Sequence, residues 1–382
     1  MSTASSNDFL SGQGVPVDLH DVETELTRLW GPAAELVGGP EVEHPNVTRI
    51  VLANLVVYAR QTSCARLQGI LDTVTARYPS RTIVLQRGDD RGRALEAEVS
   101  ALCHLPAPGL PQVCSERILL RAGPNAVDLL PGAVRPLLEA ELPFVLWWTD
   151  DPRHDEALFR DLADECTRLI LDLPDPGGSG SALRLGLDPT ICPHGRDSAW
   201  FGITRWRELL AQFFDTPDHD ENLARIDSVK IEAVASSNHQ APRLAVWLAA
   251  WLAGQLGWTR LGVPQSAPGR LSARFQGPSG EVLVEVVSVA DPSVTVAQLL
   301  AATLTTREVD GAAPECFRLA RVSRQSAEVH VEIDSPSYCT LPRTVLAPEL
   351  DPAHRVSAAL ESSRIDPPFQ KALPHALWLL DG

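Results

Sequence analysis

The chain has 382 residues, enough for two domains of ordinary size, and 44% of them are apolar, as in soluble globular proteins. Its 49 acidic residues against 33 Lys and Arg give a formal charge of −16 without a basic patch, so neither nucleic acid nor an anionic membrane surface is expected as a partner. Met1-Ser-Thr-Ala-Ser-Ser-Asn-Asp8 has no basic stretch leading into an apolar run. No apolar run reaches the roughly 18 residues of a membrane span, so a cytoplasmic location is expected. Seven cysteines, spread from Cys64 to Cys339 without a CxxC pair, suit a reducing compartment. Buried or inert thiols are the expected state, with a redox-responsive pair as the alternative.

A polar, Gly- and Ser-containing lead over residues 1–15 predicts disorder, and a helix is expected around Val22 to Trp30. Ile50 to Tyr58 is a continuous apolar run, read as a buried strand, and Leu67, Ile70, Leu71, Val74 and Tyr78 follow at helical spacing until Pro79. Arg81 to Gln86 and the neighbourhood of Ile118 to Leu120 are further strands. A helical stretch over Val127 to Ala140 is broken by Pro131 and Pro136. Phe144 to Trp148 is a strand, Leu158, Phe159, Leu162 and Cys166 mark a helix, and Leu169 to Leu173 is the fifth strand. Gly92 to Val113 has no assignable pattern.

Buried strands alternating with helices imply a mainly parallel sheet covered by helices over residues 16–176. Asp175-Pro-Gly-Gly-Ser-Gly-Ser181 breaks the alternation, and a linker is expected over 177–196. Beyond it the period changes. Trp206, Leu209, Leu210, Phe213 and Phe214 form one helical stripe, and Leu244, Trp247, Leu248, Trp251, Leu252 and Leu256 form another, stopped by Gly257. Val229 to Val234 is a candidate strand. Leu271 to Phe275 and Glu281 to Val289 flank the turn Gly277-Pro-Ser-Gly280, and Phe317 to Val322 with Ala327 to Ile333 make a second hairpin. The tail from His354 is helical. The fold class is therefore α/β: the N-terminal mainly parallel sheet covered by helices, then an α+β domain with an antiparallel sheet over 197–382.

Chemistry-bearing motifs are sparse. No GxGxxG follows a strand, no GxxxxGK[ST] exists, and the Gly-rich turn from Gly177 to Ser181 has no Lys and no evident helix starting on it. Cys192-Pro-His194 lacks further ligands at zinc spacing, and HExxH and GxSxG are missing, so no cofactor, metal or catalytic residue is assigned. Asp89-Asp90, Asp150-Asp151 and Asp175 follow the second, fourth and fifth strands. They would gather at the carboxyl edge of a parallel sheet with Arg87, Arg91 and Arg93, where such folds bind ligands. The plainer alternative is that these are polar loops, with an Asp before a helix acting as its cap. Trp147 and Trp148 point to opposite faces of their strand, so both can be core, unless Trp148 emerges at the strand's end beside Asp150 and Asp151.

Several segments carry a family likeness. Pro79-Ser-Arg-Thr-Ile-Val-Leu-Gln-Arg-Gly-Asp89, Leu142-Pro-Phe-Val-Leu-Trp-Trp-Thr-Asp150, Asp197-Ser-Ala-Trp200 with Ile203-Thr-Arg-Trp-Arg-Glu-Leu-Leu210, Leu244-Ala-Val-Trp-Leu-Ala-Ala-Trp-Leu252 and Ile365-Asp-Pro-Pro-Phe-Gln-Lys-Ala-Leu373 together resemble the OpcA family of bacterial glucose-6-phosphate dehydrogenase assembly proteins. The likeness runs in order over nearly the whole chain. It implies a non-catalytic partner that binds glucose-6-phosphate dehydrogenase, promotes its active oligomer, and supports the oxidative pentose phosphate pathway and NADPH supply. For some members it also implies a thioredoxin-type redox partner, for which this chain has no recognised motif. Trp200, Arg205 and Arg207, flanking the helical stripe, and Asp150, Asp151 and Trp148 at the fourth strand are the partner-binding candidates. Trp206 is expected in the core. Trp200 falls near Arg207 if the helix runs back through Gly202, and in a preceding turn if Thr204 caps it. The competing class is a small-molecule-binding protein or enzyme using Arg87, Asp89, Asp150 and Asp175 at the carboxyl edge.

Overall fold

The computed structural model of the chain describes residues 14–28, 47–60, 64–88, 95–104, 112–174, 180–215, 221–237, 240–309, 311–336, 341–362 and 365–381. The first part contains β1 (Val15–Val17), a helical stretch over 22–28, β2 (Val47–Arg49), β3 (Asn54–Arg60), α1 (Cys64–Arg77), β4 (Arg81–Arg87), β5 (Leu95–His104), β6 (Gln112–Ala122), β7 (Phe144–Trp148), α2 (Glu156–Glu165) and β8 (Arg168–Leu171). After β9 (Gly195–Asp197) come α3 (Ser198–Gly202), α4 (Thr204–Gln212), β10 (Ile226–Ala235) and α5 (Arg243–Gln255). The remainder is β11 (Thr259–Ala267), β12 (Arg270–Gly277), β13 (Gly280–Ala290), β14 (Gln298–Thr306), β15 (Cys316–Arg321), β16 (Glu328–Asp334), β17 (Arg343–Leu346), α6 (Pro352–Glu361) and α7 (Pro367–Leu379).

Two compact units result: residues 1–172, 186–196 and 352–362 make the first, and 173–185, 197–351 and 363–382 the second. In the first, the sheet order is β1-β5-β6-β4-β3-β7-β8-β9, with β2 beside β6. The pairs β6–β4, β4–β3, β3–β7 and β7–β8 are parallel, so in chain order the central strands lie 3-2-1-4-5, the doubly wound arrangement. α1 bridges β3 to β4 and α2 bridges β7 to β8, as parallel pairs require. Leu55 to Ala59 and Leu146 to Trp148 are fully buried, which is why they read as unbroken apolar runs.

The segment without an assignable pattern contains β5, antiparallel to β6 from Leu95↔Ala122 to His104↔Val113. Between Val127 and Leu137 the expected helix is three short pieces, Val127–Leu129, Leu130–Val134 and Arg135–Leu137, with Pro131 and Pro136 each at the start of a new turn. Within the stretch expected as a linker, a helix occupies Gly180–Gly186 and β9 follows. A helix therefore does start on the Gly-rich turn, contrary to the sequence expectation.

The second unit has an eight-stranded sheet, β11-β12-β13-β10-β14-β15-β16-β17, antiparallel except for β10 with β13. Both expected hairpins are present, the first with Gly277 opposite Gly280. Strict alternation along β13 leaves one sheet face buried and the other toward solvent. α5 is buried almost all round and ends at Gly257, whose φ of 66° needs a residue without Cβ. At Gly254 an added Cβ would lie 2.6 Å from the carbonyl oxygen of Lys371 on α7. Gly254→Ala should therefore lower the stability of this unit by about 1–3 kcal/mol, because the neighbour is backbone and the contact cannot relax cheaply, despite the better helix propensity of Ala. A thermal or urea transition unchanged from wild type would refute the close packing of α5 and α7.

Candidate functional site

In the first unit β3 and β7 lie side by side where the chain reverses direction across the sheet, and ligands of such sheets bind outside the carboxyl ends of these strands. Both strands end in groups that pair with one another. Tyr58, stacked on Trp148 at 3.8 Å between ring centroids, donates its hydroxyl to Asp155. Arg87, from the end of β4, donates to the other oxygen of Asp155 at 2.7 Å. Burial pushes the Tyr58 phenol well above its usual range, and the bond to Asp155 adds to the effect. The same carboxylate raises Arg87. Tyr58 is therefore a fixed donor rather than a proton acceptor.

The outer layer of this edge is equally paired. Asp150 lies 3.7 Å from Arg60 and 3.0 Å from Nδ1 of His154. Asp151 caps the short 3-10 helix Pro152–Asp155 by accepting from the backbone N–H of Arg153 at 3.0 Å, and binds its guanidinium at 2.5 Å. Burial alone would raise the Asp151 carboxyl, but the side-chain and backbone hydrogen bonds of Arg153 outweigh it and hold the group low. Of the acids expected here, Asp150 and Asp151 are in place and Asp151 acts as a cap; Asp89, Asp90, Arg91, Arg93 and Asp175 lie outside the described residues. Tyr58, Arg60, His154 and Asp155 complete the edge and were not singled out from sequence. The signal available for the last two was Asp151-Pro152, a cap followed by proline, which opens a helical turn whose side chains face the strand ends.

Trp148 does not emerge at the strand's end. It is fully buried, as is Trp147, because Tyr58 covers one of its faces and the ring of Phe159 on α2 meets it at 5.1 Å.

The second cluster lies in the second unit. Asp197 has no exposure and caps α3 through the backbone N–H of Ala199 at 3.0 Å. Its other oxygen accepts from Nε1 of Trp247 at 2.8 Å. It also faces Nε of Arg243 at 3.2 Å, an ion pair without hydrogen-bonding alignment. Ile203 separates α3 from α4, so the stripe belongs to two short helices. Trp206 is buried as expected. Trp200, expected at the margin as an anchor, is fully buried too: its indole N–H donates to Asp366 at 2.8 Å, and Trp247 and Phe369 pack edge-on against it at 5.6 and 5.3 Å. The inference from spacing to exposure fails because α7 covers what a single helical wheel leaves open. Arg207 stacks on Trp200 at 3.9 Å, and burial pulls its pKa down to about 10. Arg205 remains half-exposed, bonded to Glu208 and to the carbonyl of Leu346.

Among the described residues no group of three or more His, Cys, Asp or Glu is placed to hold a metal ion, and no helix is long and apolar enough to cross a membrane. Cys166 and Cys192 are buried free thiols with sulfurs 3.6 Å apart, and the Cys192 contact with burial pushes the Cys166 thiol up. Cys114 is disulfide-bonded, an exception to the expectation that most of the cysteines are buried or inert thiols.

A doubly wound sheet unit with an ion-paired edge, joined in one chain to an open antiparallel-sheet unit, is the class of protein these features define. Two family models match it in tandem: the N-terminal domain of the glucose-6-phosphate dehydrogenase subunit over residues 71–184, and the C-terminal domain of the same subunit over 193–373. The chain belongs to this OpcA glucose-6-phosphate dehydrogenase assembly family. A Synechococcus elongatus relative named OxPP cycle protein OpcA is 26% identical over 249 residues, covering 63% of this chain and 54% of the relative. A Nostoc punctiforme relative of the same name is 31% identical over 195 residues, 50% of this chain and 40% of that one. The chain thus spans about half the length of the curated relatives it matches. Levoglucosan dehydrogenase in complex with NADH superposes at a TM-score of 0.40 with 10% identity, over 80% of this chain and 81% of that one, a likeness too low to bear on fold or chemistry.

Asp197→Ala removes the counter-charge of a buried guanidinium and the acceptor of an indole N–H at once and should cost about 3–5 kcal/mol, whereas Asp197→Asn, which keeps an acceptor and the cap, should cost clearly less. Equal melting temperatures for the two variants would show that the carboxylate does not hold this cluster.

Proposed function

We propose that this protein is a non-catalytic partner of glucose-6-phosphate dehydrogenase that favours the enzyme's active oligomer and so supports the oxidative pentose phosphate pathway and NADPH supply. The observation that carries this is the tandem match of both halves of the chain to domains named for that dehydrogenase's subunit. The chemistry of the sheet edge supports it. At the point where a dinucleotide fold needs glycines for close approach of a pyrophosphate, β3 is followed by Gln61-Thr-Ser63, with no glycine. The charged groups at the described strand ends already pair, Arg87 with Asp155 and Arg60 with Asp150.

An activator shifts its target only by binding the active state more tightly, and a tenfold shift needs about 1.4 kcal/mol of differential affinity. With Trp148 and Trp200 inside, the candidates left with exposure are Arg205 and the Asp150 edge with His154. Purified glucose-6-phosphate dehydrogenase is measured for activity and for mass in solution with and without the chain; a rise in either supports the proposal, and no change in both refutes it. Arg205→Glu should leave the stability within about 0.5 kcal/mol of wild type and weaken activation a few-fold through the on-rate, since reversing a rim charge acts mainly there. Activation insensitive to Arg205→Glu would move the contact surface elsewhere.

A further inference from the structure

Away from the strand ends, the face of the first unit's sheet beneath α1 holds a cavity of about 340 Å³. Register places its lining on one side of three strands: Gln86 on β4 is opposite Arg121 on β6, and Ser100 on β5 is opposite Arg117 on β6. Leu67 and Leu71 from α1, with Val84 and Leu119 from the sheet, form the apolar wall. Gln86 and Ser100 are both more than nine-tenths buried.

The polar groups facing this space are unequal in a telling way. Arg121 is used up: Nε donates to Oε1 of Gln86 at 3.2 Å and both terminal nitrogens face Glu98. Arg117 spends only Nη2, on Asp72 at 2.6 Å, and its Nε and Nη1 make no hydrogen bond among the described residues. The side-chain amide nitrogen of Gln86 donates to nothing there, and the hydroxyl of Ser100 has no partner among them. What remains unused is therefore guanidinium N–H groups on Nε and Nη1, an amide N–H and a hydroxyl, all able to donate. A ligand supplying oxygen acceptors would satisfy these donors where they face the cavity. Each arginine is already offset by one carboxylate, so no net positive charge remains to hold a dianion, and a monoanion is held by the donors left on Arg117. Inorganic phosphate, largely a dianion at neutral pH and without an apolar body, fits neither the charge nor the wall.

We propose that the cavity between α1 and the β4–β6–β5 face binds a small monocarboxylate with a short apolar body, its carboxylate against Arg117 and Ser100 and its body against Leu67, Leu71, Val84 and Leu119. The site lies within the first unit and does not rest on the function proposed above.

The test is calorimetric titration of the full chain with three probes: 4-methylpentanoate, the uncharged 4-methylpentanamide of the same shape, and inorganic phosphate. The acid should bind at one site, the amide about tenfold more weakly or worse, and phosphate not at all. Arg117→Leu should weaken the acid at least about tenfold, Ser100→Ala several-fold, and Leu119→Trp, which fills the cavity, should abolish binding. No heat with the acid, equal affinity for acid and amide, preference for phosphate, or binding that persists unchanged in Arg117→Leu and Leu119→Trp would each overturn the proposal. Should these variants fail to fold, wild-type crystals soaked with 4-bromobutanoate decide it. A bromine anomalous peak in the cavity supports the site, and peaks confined to other places or none at all overturn it.

Discussion

The carboxylate of Asp197 holds together the aromatic core of the second unit. It has no contact with water, and a lone buried charge of that kind costs several kcal/mol unless its lone pairs are filled. Here they are filled by the cap of α3 and the indole N–H of Trp247, and the charge is offset by the guanidinium of Arg243 3.2 Å away. Because one of those donors begins α3 and the others sit on α5, the carboxylate sets how the two helices face each other. The rings follow from that setting. Trp200 and Trp247 meet edge to face, and Phe369 of α7 closes on both, at 5.3 and 5.0 Å. A second carboxylate, Asp366, then caps α7 and takes the indole N–H of Trp200, so the cluster has an acid at each end.

The edge of the first unit uses the same chemistry to a different end. Asp155 is shared by a phenol and a guanidinium, and Asp150 by a guanidinium and an imidazole, so the strand ends present pairs whose charges are mutually satisfied. A surface of this kind offers orientation and charge pattern to another macromolecule more readily than it offers open coordination to a phosphate. The cavity beneath α1, where donors are left without acceptors, differs in chemistry from this edge although both lie on one sheet.

How far the sequence reveals this depends on what each residue's burial requires. Phe144 to Trp148 stands out because a strand covered on both faces must be apolar at every position, and α5 because a stripe of Leu and Trp repeats at helical spacing. β5 is hidden because Glu96, Glu98 and Ala residues have weak strand preference, and its place is set by ten residues of pairing with β6 rather than by local propensity. β11 is hidden for another reason: Gly262 and Pro264 interrupt an exposed edge strand. Helical spacing identifies Trp206 as core and is silent on Trp200, since the covering helix comes from residues 367–379, more than 160 positions away in the chain. Asp150 and Asp151 were legible from their place after the fourth strand, but that one pairs and the other caps, and that Asp155 accepts from Tyr58, is decided by side-chain geometry that spacing does not encode.

The first unit is not a continuous stretch of chain. Besides residues 1–172 it takes 186–196 and 352–362, and α6 from that last piece is bound by the unit's own arginines: Arg77 pairs with Glu361 at 2.6 Å, and Arg168 donates to the carbonyls of Ala359, Leu360 and Ser362. During synthesis, then, the parallel sheet emerges from the ribosome with its last helix still missing, and that helix arrives only after every strand of the second unit's sheet has been made. No single cut releases either unit intact, and the order in which the ribosome delivers residues differs from the order in which the first unit can be finished.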